Sequence, residues 1–149
     1  MLWTIRPATP ADTDALARIY LGSRQQTFIW QDPADFQLSD FATHTAGERI
    51  WLAQDAQGHI GGFVSIWEPD HFIHMLYVQS AFHGQGIGTA LLTRLPQWAR
   101  RSWQLKCLVR NERARRFYAA HGFVVTGQGQ SAEGEFVLMT RHAPTDSGR

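Results

Sequence analysis

The chain has 149 residues, a formal net charge of +1, six Trp, nine Phe and one cysteine. That length suits a single domain with a sizeable core, and the near-neutral charge gives no ground for a nucleic-acid partner. Lone Cys107 cannot close an internal disulfide, which fits a reducing cytoplasmic setting; no apolar run nears the ~20 residues that span a bilayer, and Met1–Arg6 lacks a signal-peptide pattern.

Leu2–Arg6 reads as a first strand. Thr9-Pro10-Ala11-Asp12 announces a helix, with Thr9 as N-cap and Ala15, Leu16, Ile19 and Tyr20 as its buried face. Pro33 is expected to open a second helix that carries Phe36 and Phe41 to His44, after an apolar segment at Thr27–Trp30. Ile50–Gln54 and Ile60–Trp67 form a hairpin, and Phe72–Val78 a fourth strand.

Ile87, Leu91, Leu95 and Trp98 predict a helix that must kink or tighten near Thr93, because Pro96 lies inside the pattern. Trp103–Val109 alternates as a fifth strand, with Cys107 on its buried side. Asn111 caps the next helix, whose apolar face is Ala114, Phe117 and Tyr118, and Gly122 stops it. Phe123–Thr126 and Glu135–Thr140 are read as strands around a Gly-rich loop, and 143–149 as a disordered tail. The mixed order predicts an α/β domain over residues 1–142, with helices on both faces of a mixed, twisted sheet.

The most informative stretch is His83-Gly84-Gln85-Gly86-Ile87-Gly88-Thr89. Alternate glycines between a strand and a helix start make a nest of backbone N–H groups suited to a phosphate. A P-loop would need a lysine near Gly88, and a dinucleotide fingerprint would need Gly or Ala at position 89, where this chain has Thr89. A metal is rejected: His71 and His74, three apart on a strand, face opposite ways.

Leu76-Tyr77-Val78, the glycine loop, and Asn111…Ala114…Phe117-Tyr118…Gly122-Phe123 together resemble the GNAT superfamily of N-acetyltransferases. The resemblance runs from residue 2 to about 140. It implies splayed fourth and fifth strands and acetyl-coenzyme A as co-substrate, with direct transfer to a primary amine of a small molecule or peptide. A non-catalytic acyl-coenzyme A sensor and a peptide N-terminal acetyltransferase remain alternatives, and a homodimer is possible.

By the same resemblance, the backbone of the Leu76-Tyr77-Val78 segment would bind the pantetheine arm. The N–H groups of Gly84, Gln85, Gly86, Ile87, Gly88 and Thr89 would bind the pyrophosphate. Asn111 would contact the cofactor arm, and Tyr118 would be the general acid. His83 stands where the family has Gln or Arg, so either cofactor affinity follows its protonation or its role has lapsed. An amine acceptor needs a base. His74 is favoured, on a face that strand alternation would give to Phe72, His74, Leu76 and Val78 alike. Trp30 and Trp67 are offered as acceptor contacts. No acidic cluster advertises a polycationic acceptor, although Asp32, Asp35, Glu68 and Asp70 could gather at one rim.

Overall fold

The structure, a computed structural model, describes residues 2–27, 32, 34 and 36–144. Trp30, Pro33, Asp35 and the tail residues 145–149 lie outside them. Seven strands form one sheet in chain order: β1 (Thr4–Pro7), β2 (Arg49–Gln54), β3 (Ile60–Trp67), β4 (Phe72–Val78), β5 (Trp103–Leu108), β6 (Val124–Ser131) and β7 (Gly134–Arg141). Their spatial order is β1-β2-β3-β4-β5-β7-β6. All neighbours are antiparallel except β4 and β5.

The helices are α1 (Thr13–Thr27), α2 (Asp40–His44), α3 (Ile87–Thr93) and α4 (Glu112–Ala120). They split the core between the two sheet faces. Leu16, Ile19, Tyr20 and Phe41 from α1 and α2 pack with Leu52, Phe63 and Met75. On the other face, Ile87, Leu91, Leu92 and Tyr118 pack with Val64, Ile66, Ile73 and Leu105. Covered on both sides, β3 is buried almost throughout and reads as a continuous apolar run.

Two expectations need correcting and one is narrowed. The second helix is only the five residues of α2, although Phe36 and Phe41 are buried as expected. The third tightens rather than kinks, its helix ending at Thr93, because Pro96 has no N–H and disfavours a helical residue before it. Leu95 and Trp98 continue through tight turns, with N–H bonds to Leu92 and Leu95 carbonyls, so the apolar stripe survives its helix. Much of the Gly-rich loop is strand β6. A Cβ at Gly129 would come within 2.6 Å of the Phe136 ring, so the glycine seats an aromatic of β7 rather than breaking the strand. At the C-terminal end, the Ala143 N–H donates to Ser102 Oγ at 2.8 Å.

Candidate active site

The site begins with one extra residue in β4. Ser65 pairs with Met75 and Ile66 with Ile73, so His74 is a bulge. The bulge reverses which side chains share a face. Ile73, Leu76 and Val78 meet the α3–α4 core, whereas Met75 and Tyr77 meet the α1–α2 core. Unbroken alternation would put His74 with Leu76 and Val78. Instead it shares the α1 face, opposite theirs.

Pairing between β4 and β5 also ends here, after Phe72–Gln104 and Ile73–Leu105. The strands then part. On the other edge of β4, Gln79 N–H donates to Gly61 O at 2.8 Å, around the Val78–Gly62 pair. That parity turns the backbone groups of Val78 and Leu76 away from β3 and into the split. The Val78 carbonyl accepts a bond from His83 Nε2 at 2.9 Å, so this histidine caps the strand.

Two cavities meet across the split, sharing Leu76, Tyr77, Asn111, Ala114 and Tyr118 as a common wall. The first, about 610 Å³, runs along the glycine loop to α4. Gly84 and Gly86 hold φ of +82° and +79°, with nothing within 4 Å of a Cβ at either. Backbone conformation, not space, requires glycine at both. Gly88 is different, because a Cβ there would come 3.0 Å from the Phe117 ring and push α3 off α4. The N–H groups of residues 84–89 have no acceptor among the described residues. They form the donor nest that an anion would fill.

Gln85 does not line this cavity; its side chain accepts from Trp3 Nε1 at 3.1 Å. Thr89 Oγ1 lies 2.9 Å from His121 Nε2, whose Nδ1 donates to the Phe117 carbonyl at 2.8 Å. Arg113 is the one arginine among the described lining residues. Asn111 caps α4, accepting from Ala114 N–H at 3.2 Å, and lines both cavities. The Tyr118 ring is buried against Phe117 and Phe123, and desolvation pushes its hydroxyl far above the ordinary tyrosine range. That hydroxyl has no hydrogen-bond partner among the described residues, yet the residue lines both cavities.

The second cavity, about 720 Å³, lies on the α1 face between Tyr20, Arg24, His74, Lys106 and the turn of the β6–β7 hairpin. His74 Nδ1 lies 2.7 Å from Glu48 Oε2, and Glu48 Oε1 accepts from the buried Ser65 hydroxyl at 2.5 Å. Only 8% of the Glu48 side chain is exposed. A fixed carboxylate beside Nδ1 favours the proton there and leaves Nε2 as the basic nitrogen. Glu48 was missed because its link to His74 joins the turn before β2 to a bulge in β4, and no local pattern marks it. Cys107 also lines this cavity, and burial pushes its thiol up to about 11. Trp67 does not: its ring lies over Gly47 and lines neither cavity.

The sequence profile of the acetyltransferase (GNAT) family matches residues 14–123. The chain belongs to this family. It is an acetyl-coenzyme A-dependent N-acetyltransferase with the α/β fold expected of one. It is 34% identical over 110 residues to aminoglycoside N(6')-acetyltransferase type 1 of Stenotrophomonas maltophilia, covering 65% of this chain and 67% of that protein. It is 29% identical over 140 residues to the L-amino acid N-acyltransferase MnaT of Escherichia coli K12, covering 84% and 81%. A solved structure of yncA from Salmonella typhimurium with its cofactor acetyl-CoA superposes with a TM-score of 0.67 at 23% identity, covering 99% of both chains.

Proposed function

We propose that this chain transfers an acetyl group directly from acetyl-coenzyme A to a primary amine of a small molecule or peptide, with the two cavities as cofactor and acceptor sites. The observation that carries this reading is the abrupt end of β4–β5 pairing beside His74, with donors on one side of the split and a carboxylate-backed histidine on the other. The thioester supplies an activated acetyl group. The residues 84–89 hold the diphosphate through their N–H groups, and Arg113 adds a cation. Leu76 and Val78 bind the pantetheine arm as an added strand. Asn111 lies beside that arm.

His74 Nε2 takes the proton of the acceptor amine, positioned by Glu48. As the nitrogen–carbon bond forms and the carbon–sulfur bond breaks, Tyr118 gives its hydroxyl proton to the sulfur. Burial keeps that hydroxyl protonated, so its proton is present when the sulfur departs. The lone Cys107, and the lack of any helix long and apolar enough to cross a membrane among the described residues, favour action in the cytoplasm. A homodimer could use β6, a free sheet edge that exposes Val124 and Val125.

The test is thiol release from acetyl-coenzyme A across a panel of amines, alongside calorimetric binding of acetyl-coenzyme A. Turnover with the wild type, and weakened binding in Gly86→Val, are expected. Binding without turnover on any amine would make the chain a sensor. Unchanged affinity in Gly86→Val would remove the glycine loop from the cofactor site.

A further inference from the structure

This inference rests on the transferase reading above and concerns what the second cavity selects. Among its described lining residues the permanently charged groups are Arg24, Lys106 and Glu133, two cations against one carboxylate. Histidines 44 and 74 complete its titratable set of positive groups. The His44 ring is engaged with the Tyr20 hydroxyl at 2.6 Å and His74 with Glu48 at 2.7 Å.

Lys106 follows Leu105, the last β5 residue paired with β4, so it stands one step into the split on the side facing His74. Its Nζ lies 4.9 Å from the Phe136 ring centre and has no carboxylate at ion-pair distance among the described residues. Arg24 approaches from α1. Its guanidinium lies over the rings of Tyr20 and Phe36, at 4.9 and 4.4 Å, while Nη1 contacts Asp40 at 3.1 Å. With 13% of its side chain exposed, Arg24 is held in place rather than free to swing away. A guanidinium carries five N–H donors, so one contact at Nη1 does not use up the fork.

An acceptor with several ammonium groups would meet these cations at close range, and like charges set against one another are costly. The acidic groups near the β3–β4 connection do not offset them. Glu68 pairs with Arg49, and neither Glu68 nor Asp70 lines this cavity. We propose that the acceptor is an amine that also bears a carboxylate, of amino-acid type. Lys106, with Arg24 nearby, receives the carboxylate, Glu133 faces the arriving ammonium, and His74 takes its proton. With Arg24 already beside Asp40, Lys106 is the cation left for a monoanionic handle, and one ammonium fits the one carboxylate of Glu133.

The test uses the full chain and measures thiol release with each common L-amino acid, its carboxamide, kanamycin and spermidine. At least one amino acid should exceed its own carboxamide in kcat/KM by about tenfold or more, and exceed both polycations. Lys106→Met should shrink that acid-over-amide ratio to about threefold or less, chiefly through KM, and Lys106→Arg should restore it. Acetyl-coenzyme A affinity in each variant reports that the fold is intact. Equal rates for acids and amides, or preference for kanamycin or spermidine, would overturn the inference and leave the transferase reading standing. No turnover on any amine, with acetyl-coenzyme A still bound, would overturn both.

Discussion

The two cavities that share Tyr118 are built from different materials. The donor end of the first is backbone from one continuous segment, residues 83–89, whose peptide N–H groups are held in place by glycines at positive φ. The second is made of side chains from α1, α2, β4, β5 and the β6–β7 turn, brought together only when the sheet closes. Under the proposed function the backbone site recognises a diphosphate, a ligand whose charge and shape stay the same whatever is acetylated. The side-chain site can be retuned one residue at a time. A loss at the first should therefore appear as weaker cofactor binding, and a loss at the second as slower transfer or altered choice of acceptor.

That division can be broken most sharply at His74. His74→Ala should lower kcat by about 10²–10⁴-fold, with acetyl-coenzyme A affinity unchanged by calorimetry. Loss of cofactor binding instead would mean that the bulge, rather than the imidazole, is what matters. Glu48→Gln should follow in the same direction by about tenfold, since it disturbs the orientation and not the base itself. Tyr118→Phe should cost about a hundredfold in kcat. Its thermal stability should hold or rise, because the lost hydroxyl has no partner to strand.

On the cofactor side, Gly86→Val forces a β-branched residue to φ near +79° and should cost about 1–2 kcal/mol of stability. It should also weaken acetyl-coenzyme A binding by about tenfold or more, while residual kcat at saturation falls much less. Equal falls in both would show that the two sites are not separable.

A control lies away from both cavities. The Arg6 guanidinium, bonded to both Asp12 oxygens at 2.9 Å, holds that carboxyl well below the usual carboxylate range, and the Thr9 N–H adds to it. A carboxyl pKa depressed by folding stabilises the fold above about pH 4, and that contribution fades as pH falls below it. Asp12→Asn should lose about 1.5–3 kcal/mol at pH 7 by denaturant titration, and converge on the wild type as the solution is acidified. Turnover at 25 °C should not change. The smallest signal concerns Cys107. With its thiol raised to about 11, it should react with iodoacetamide at pH 7.5 about tenfold or more slowly than free cysteine. Rapid alkylation would reopen the question of an acyl-enzyme.

The sequence was most readable where structure is local. Strands β3 and β4 fall at their expected residues, and the N-cap of α4 is Asn111, because alternation and capping act within a few positions. It was least readable where a distant partner overrides a local signal. The glycines of β6 look like a loop until Phe136 lies across one of them. The stripe Ile87-Leu91-Leu95-Trp98 looks like one helix, although Pro96 ends it early and tight turns keep the buried face in register.

By itself the sequence determined the alternate-glycine loop between a strand and a helix, the mixed α/β order and, through the Asn…Phe-Tyr…Gly-Phe pattern, the resemblance to an acetyltransferase. All three are written in residues close together along the chain. Only the tertiary structure decided that His74 is a bulge on the α1 face, that Glu48 stands behind it, and that Lys106 and Arg24 face the same space. A bulge exists only relative to the strand it is paired with. A charge becomes part of a site only when folding carries it there from elsewhere in the chain.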